Sequence, residues 1–172
     1  MIQIDTVHAK LLHGLVLAGK PQNVLELGYG IGFATDEIYA ALEYNQQAYK
    51  YTLVDNWMDY SDPDQVKAKY SNKIDVVTAN EKDFVFSCEE KYDLIMSDAD
   101  HHQTHQWFKY VYDTLLADDG ILCYHDITLT SMFPNLIRIL ERCQELNLKH
   151  KVFNKDSIPG EMCFRGFLVI FK

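Results

Sequence analysis

Short apolar runs alternate with longer segments of helical periodicity along most of this chain. The apolar runs predict strands at 24–27, 51–54, 74–78, 94–96, 121–124, 151–153 and 167–171. Apolar residues spaced three and four apart predict helices at about 5–19 (apolar positions within 7–18), 31–44, 104–116 and 132–146. Strands that alternate with helices form a parallel sheet with helices on both faces, so the pattern predicts an α/β fold.

The last segment of the chain breaks this alternation. Between 149 and 172 two β-like runs are separated by a turn at 156–160 with no helical pattern. A strand that returns without a crossover helix pairs antiparallel, so we expect the last of seven strands to be antiparallel to its neighbours.

Length and composition predict one soluble domain over residues 1–172. No apolar run approaches the roughly 20 residues of a membrane helix, and no signal segment is evident, so we expect a cytoplasmic protein without membrane contact. The formal charge of −9, with Lys and Arg dispersed, disfavours nucleic acid as a partner. The four cysteines, which form no C-x-x-C pair, are predicted to be small buried side chains: Cys88, Cys123, Cys143 and Cys163.

A glycine-rich turn follows the first predicted strand. The segment 26–32 reads Glu-Leu-Gly-Tyr-Gly-Ile-Gly, with glycines at Gly28, Gly30 and Gly32. Glycines there permit a sharp turn and let a ligand approach the main chain. A dinucleotide motif counted from Gly28 would need a small residue where Phe33 stands, which disfavours NAD.

This pattern of an acid followed by three alternating glycines resembles the first motif of class I S-adenosylmethionine-dependent methyltransferases. The resemblance implies a Rossmann-like fold with an antiparallel last strand, and S-adenosylmethionine as cofactor. Glu26 is a carboxylate within an apolar strand, where it is costly unless paired, and the methionine ammonium of the cofactor would pair it.

Polar residues after the next two strands complete the predicted cofactor site. Asp55 ends the second strand, where its carboxylate can accept hydrogen bonds from both ribose hydroxyls. Trp57 is either a wall for the adenine ring or a core residue. After the third strand, where the family usually binds the adenine amino group, Asn80 or Asp83 could serve, or Asn80 could simply cap a helix.

Acids and imidazoles follow strands four and five. The fourth strand leads into Asp98-Ala99-Asp100-His101, and the fifth ends in His125-Asp126. Since neighbouring parallel strands end at one edge of a sheet, Asp98 and Asp126 could share a divalent cation.

These two elements resemble the metal-dependent O-methyltransferases, including the cephamycin-type branch. The resemblance implies that Asp98 and Asp126 bind the metal, with Asp98 also beside the cofactor, and that His101 deprotonates the acceptor hydroxyl. His125 stands where relatives often carry an acidic ligand. Either the site prefers a softer metal than Mg²⁺, such as Mn²⁺, or His125 is not a ligand, or no metal binds.

The resulting hypothesis is an O-methyltransferase for a hydroxylated small molecule, with Mg²⁺ or Mn²⁺ as a candidate metal. Three alternatives stay open: a cofactor-binding module without catalysis, a metal-free enzyme that methylates nitrogen or a macromolecule, and a separate zinc site at His101, His102 and His105. The helix before Val24 and the segment 155–164 are the two candidates to cap the pocket. Because that cover is short, we also expect a homo-oligomer.

Overall fold

The computed structural model describes residues 4, 6–58, 62–153 and 165–172. Within these residues it contains one seven-stranded sheet in the order β3-β2-β1-β4-β5-β7-β6. The strands are β1 (Asn23–Leu27), β2 (Lys50–Asp55), β3 (Asp75–Thr78), β4 (Tyr92–Ser97), β5 (Leu116–Tyr124), β6 (Lys149–Phe153) and β7 (Phe167–Phe171). β1 to β5 pair in parallel, and β7 runs antiparallel to both β5 and β6. The predicted mostly parallel sheet with an antiparallel last strand is confirmed.

Helices cover both faces of this sheet. The α-helices are α1 (Thr6–Gly19), α2 (Phe33–Asn45), α3 (Pro63–Lys69), α4 (Glu81–Ser87), α5 (Phe108–Tyr110) and α6 (Ile137–Glu145). Alternate residues of each central strand enter opposite cores. In β1, Val24 belongs to the core beneath α1 and α2, whereas Leu25 belongs to the core beneath α6. Burial on both sides explains why the central strands read as nearly continuous apolar runs.

Two predicted helices are shorter or less regular than their patterns suggest. The segment predicted as one helix at 104–116 is a 3₁₀ turn, α5 and a π turn ending at Leu115, because Leu116 already pairs with Tyr92 in the sheet. The helix predicted at 132–146 begins only at Ile137. Pro134 accounts for this, since a proline disfavours helical conformation in the residue before it.

Two short helices were not among the predicted elements, although Asn80 was a candidate helix cap. Asp62 caps α3 by accepting a hydrogen bond from the Asp64 amide, with Pro63 in the first turn. Asn80 caps α4 through the Lys82 amide. The described helices include none long and apolar enough to cross a membrane.

The sheet order places its topological switch point at β1. Chain connections run outward from β1 to β2 and β3 on one side, and to β4 and β5 on the other. Ligands of open α/β sheets bind at the carboxyl ends of the strands beside such a point. The Asp98 amide donates to the Leu27 carbonyl at 2.8 Å and the His125 amide to the Ser97 carbonyl at 3.3 Å, so three strand ends lie side by side.

Candidate active site

The glycine turn follows β1, and both its backbone conformation and its close contacts require glycine at position 28. Gly28 has φ 95°, and a Cβ there would lie 2.7 Å from the carbonyl oxygen of Asp98. Gly30 has φ 56°, but a Cβ at that position would meet open space. Gly28 therefore lets the ends of β1 and β4 approach each other, and Gly30 keeps the main chain open toward a ligand. Gly32, also at positive φ, begins α2.

Asp55 joins the glycine turn to the end of β2. One of its carboxylate oxygens accepts a hydrogen bond from the Tyr29 amide at 2.7 Å, and the other accepts one from the Trp57 amide at 2.8 Å. These bonds fix the carboxylate at the cavity wall, and each oxygen retains a lone pair for a further donor. The arrangement suits two adjacent ligand hydroxyls.

A cavity of about 790 Å³ lies above the strand ends. Six of the predicted site residues line it: Gly28, Gly30, Asp55, Asn80, Asp98 and His101. Its volume is in the range typical of cofactor and substrate sites. The predicted cofactor and metal residues that lie outside its lining are Glu26, Gly32, Trp57, Asp83, His125 and Asp126.

Glu26 is fully buried beneath the glycine turn, and its partners are hydroxyl groups. Thr35 donates to one carboxylate oxygen at 3.0 Å, and the Tyr51 hydroxyl donates to the other. Burial raises the pKa of Glu26 to about 8, although these two hydrogen bonds oppose the increase. Its predicted role toward the cofactor ammonium stays a prediction.

Trp57 and Asn80 both have structural partners in this chain. The Trp57 ring packs against Tyr29 with centroids 5.6 Å apart, and its indole nitrogen donates to the Val77 carbonyl at 3.3 Å. This arrangement corresponds to the core alternative for Trp57. Asn80 caps α4 and also lines the cavity, so both of its predicted roles are compatible with its position.

Two acids and a histidine converge across the ends of β4 and β5. Nε2 of His101 lies 3.0 Å from Oδ1 of Asp98 and 3.4 Å from Oδ2 of Asp126. One candidate ligand atom from each of these three residues lies within 4.8 Å of the other two. The register of β4 against β5 thus brings together groups that are 28 positions apart in the sequence.

His125 lies beside this group but is not part of it. Its Nδ1 is 3.2 Å from Oδ1 of Asp126 and 3.5 Å from Oδ1 of Asp98, and its ring is buried against His8 and Phe167. The group whose candidate ligand atoms lie within 4.8 Å of one another contains Asp98, His101 and Asp126. Imidazole nitrogens of both His101 and His125 lie beside the two carboxylates, so the predicted role of His125 as a ligand stays a prediction.

The charged groups of this cluster shift one another's pKa values. Burial alone would raise the pKa of Asp98, but His125 and His101 outweigh it and hold that pKa well below its usual range. Burial alone would lower the pKa of His101, whereas hydrogen bonds and charges from Asp126 and Asp98 raise it to about 10. Without a bound cation, His101 is thus protonated at neutral pH.

Asp126 has the features expected of a metal ligand. It is fully buried, and its two carboxylate oxygens lie 3.2 Å from Nδ1 of His125 and 3.4 Å from Nε2 of His101. Arg165 approaches it only to 3.9 Å. Two carboxylates and one imidazole nitrogen form a donor set that divalent cations such as Mn²⁺ accept. The residues present fit a divalent cation.

Several residues of the site were not predicted from sequence. Glu81, the first residue of α4, lines the cavity, as do Met132 and Phe133. The Phe133 ring lies 4.4 Å from that of His101. Met132 and Phe133 fall at the start of the segment predicted as a helix, and only the packing of the segment after β5 brings Phe133 over His101. The predicted cover at 155–164 lies outside the described residues.

Residues 25–127 match the profile of a sequence family described as a methyltransferase domain. No curated protein sequence matches the chain.

Solved structures share the whole fold at low sequence identity. An O-methyltransferase from Bacillus cereus in complex with S-adenosylhomocysteine is 18% identical, with a TM-score of 0.76 over 99% of this chain and 83% of the other. The O-methyltransferase TomG from Streptomyces achromogenes, bound to S-adenosylmethionine and involved in tomaymycin synthesis, is 13% identical, with a TM-score of 0.76 over 98% and 81%. A methyltransferase from Podospora anserina bound to S-adenosylhomocysteine is 14% identical, with a TM-score of 0.71 over 99% and 80%.

Proposed function

This chain belongs to the methyltransferase-domain family that its residues 25–127 match, and on that premise we propose that it O-methylates a hydroxylated small molecule with S-adenosylmethionine. Two findings support this proposal: the family is described as a methyltransferase domain, and the fold is shared with O-methyltransferases solved with S-adenosylhomocysteine or S-adenosylmethionine bound. The acceptor class, the metal and the residue roles below are the proposal.

The glycine turn and Asp55 form the proposed cofactor half of the site. Backbone at Gly28 and Gly30 faces the donor, and the Asp55 carboxylate, held by two backbone amides, accepts from both ribose hydroxyls. Asn80 lies at the end of β3 on the same cavity, where the adenine amino group would reach its side chain.

Asp98, His101 and Asp126 form the proposed acceptor half. Asp98 and Asp126 would hold a divalent cation, with His101 on its edge. When bound, the cation supplies positive charge that favours loss of the acceptor's hydroxyl proton and offsets the carboxylate charges that keep His101 protonated. Nδ1 of His101 bonds to the Ala99 carbonyl, so Nε2 takes up that proton. The acceptor oxygen attacks the sulfonium methyl in line, the sulfur–methyl bond breaks, and S-adenosylhomocysteine leaves.

One observation carries this proposal. Asp98 and His101 border the same cavity as the glycine turn and Asp55, because Gly28 and Asp98 lie on adjacent strand ends, and Asp126 is buried against His101. A methyl donor seated on the turn is thereby adjacent to a proton acceptor. The apolar side chains of Met132 and Phe133 next to His101 provide a surface for an uncharged part of the acceptor.

The test is methyl transfer to a panel of hydroxylated acceptors, with Mn²⁺ or Mg²⁺ and with EDTA. We expect metal-dependent turnover that falls by about 100-fold or more in His101→Gln, as for loss of a general base. His150→Gln is the matched control, since His150 lies on β6 and bonds only to the Leu148 carbonyl among the hydrogen bonds resolved for it.

Other results of the same assay would support one of the alternative functions. Cofactor binding without turnover on any acceptor would indicate a binding module. Turnover that survives EDTA and His101→Gln would indicate metal-free chemistry, with nitrogen or a macromolecule as acceptor. In either case the roles proposed for Asp126 and His101 would be wrong.

A further inference from the structure

A second buried carboxylate borders the cavity and takes no part in the chemistry described above. Glu81 begins α4, and its side chain is almost completely inaccessible to solvent. A carboxylate is costly to bury unless donors surround it. Burial raises the pKa of Glu81, and hydrogen bonds from its neighbours act in the opposite direction.

All the donors to Glu81 come from one segment, at and after the end of β4. Oε1 accepts from the Thr104 hydroxyl at 2.9 Å and the Trp107 indole at 3.0 Å, with Ser97 more distant at 3.4 Å. Oε2 accepts from the Asp100 backbone amide at 2.8 Å. The carboxylate thus ties α4 to both ends of the turn that carries Asp98 and His101.

Asp100 holds that turn together through hydrogen bonds of its side chain and carbonyl, in addition to the bond of its amide to Glu81. Oδ1 of Asp100 accepts from the His102 and Gln103 amides, both at 3.0 Å, and its carbonyl accepts from the Thr104 amide at 3.0 Å. Asp98 and His101 flank it in sequence. Movement of Asp100 would therefore displace both groups of the proposed acceptor half together.

We propose that Glu81 is a positioning residue, which holds the turn 98–101 through the Asp100 amide so that Asp98 and His101 face Asp126 and the cavity. This inference rests on the proposed function for the reaction it serves, but the residues that donate to Glu81 have no role there in cofactor binding or proton transfer. A direct role in cofactor binding is the competing assignment, because Glu81 also lines the cavity.

A carboxylate is specifically required by this arrangement. Both oxygens face donors, so an ionised carboxylate satisfies every one of them. A glutamine retains one acceptor oxygen for Thr104 and Trp107 but presents an NH₂ group to the Asp100 amide. Two donors then face each other, and the anchor of the turn is lost while the buried volume is kept.

The experiment compares Glu81→Gln with two controls in the full-length protein. Thr104→Val deletes a buried donor to Oε1 and leaves the Asp100 anchor intact, and Glu89→Gln changes an exposed acid just after α4. We measure kcat and KM with metal present, S-adenosylmethionine affinity by calorimetry, and hydrogen exchange of the Asp100 amide by NMR. Glu81→Asp, which keeps the charge but shortens the reach, replaces Glu81→Gln if that variant does not fold.

We expect Glu81→Gln to expose the Asp100 amide to exchange and to lower kcat by about 10- to 100-fold, as small displacements of positioned groups do. Affinity for S-adenosylmethionine should change by less than about threefold, and both controls should retain kcat. A protected Asp100 amide, an unchanged kcat, or a loss of cofactor affinity as large as the loss of kcat would each overturn the inference.

A wild-type protein that methylates no acceptor would refute the proposed function separately. In that case Mn²⁺ binding tests the positioning role of Glu81, because Asp98, a proposed metal ligand, lies in the turn that Glu81 holds. A loss of about tenfold or more in Glu81→Gln, absent in Thr104→Val, supports the role, and an unchanged affinity overturns it.

Discussion

The buried carboxyl of Glu26 makes this protein less stable as pH rises. An acid whose pKa is lowered by folding has the opposite effect, because it makes the folded state more stable as pH rises. Its folded pKa is about 8 against an ordinary value of 4.5. Between those values the folded state binds more protons than the unfolded state, so the free energy of unfolding falls as pH rises. The stabilisation that protonated Glu26 gives to the folded state is fully present below pH 4.5. It decreases as pH rises toward 8 and changes no further above about pH 8.

The size of the effect follows from the two pKa values. At about 1.36 kcal/mol per pH unit, the window from 4.5 to about 8 corresponds to at most about 5 kcal/mol. Glu26→Gln removes the ionisable group while it keeps hydrogen-bonding atoms for Thr35 and Tyr51. We therefore expect the variant to gain stability relative to the wild type as pH increases, by a few kcal/mol between pH 5 and pH 8.

Urea unfolding in EDTA at intervals from pH 5 to pH 8 measures this difference, and Glu89→Gln provides an exposed control with no expected pH dependence. Parallel pH profiles for wild type and Glu26→Gln would refute the reasoning, since they would mean that Glu26 is ionised in the folded state throughout. Cofactor affinity of the same variant tests the separate prediction that Glu26 pairs the methionine ammonium, for which we expect a loss of at least about tenfold.

The remaining predictions concern the glycine turn, the strand-end acids and the oligomeric state. Gly28→Ala should destabilise the fold by about 2 kcal/mol or more, because its Cβ would collide with Asp98 in a strained backbone. Gly30→Ala should cost only about 1 kcal/mol in thermal unfolding yet weaken S-adenosylmethionine binding in calorimetry. Asp55→Asn should reduce cofactor affinity by about tenfold or more, with metal affinity unchanged. Asp126→Asn should do the reverse, losing Mn²⁺ affinity in titration while cofactor binding is retained. Light scattering should give an oligomeric mass, and a monomeric mass would contradict that expectation.

The fold was predictable because its signals are local. Apolar strands buried on both faces read as continuous runs, and the glycines at 28, 30 and 32 are required by the chain itself, with positive φ at each. The positions of Asp55 and Asp98 at the cavity were predictable for a related reason: a polar residue at or just after the end of a buried parallel strand lies at the edge of the sheet where ligands bind.

Other features depend on contacts between distant segments. The approach of His101 and His125 to the carboxylates of Asp98 and Asp126 depends on how the ends of β4 and β5 pack, and the π turn before Leu116 depends on strand pairing. Glu81 is an ordinary first-turn acid in sequence, and only packing supplies its donors from 97 to 107.

The sequence alone determined the sheet, the glycine turn and the strand ends that carry acids, because backbone periodicity and φ requirements are properties of neighbouring residues. Only the tertiary structure decided how those strand ends meet. Register between β1, β4 and β5 places Gly28, Asp98 and His125 on adjacent ends, and the buried setting perturbs the pKa values of Glu26 and His101. Desolvation and the proximity of charges arise from long-range packing, which no local pattern encodes.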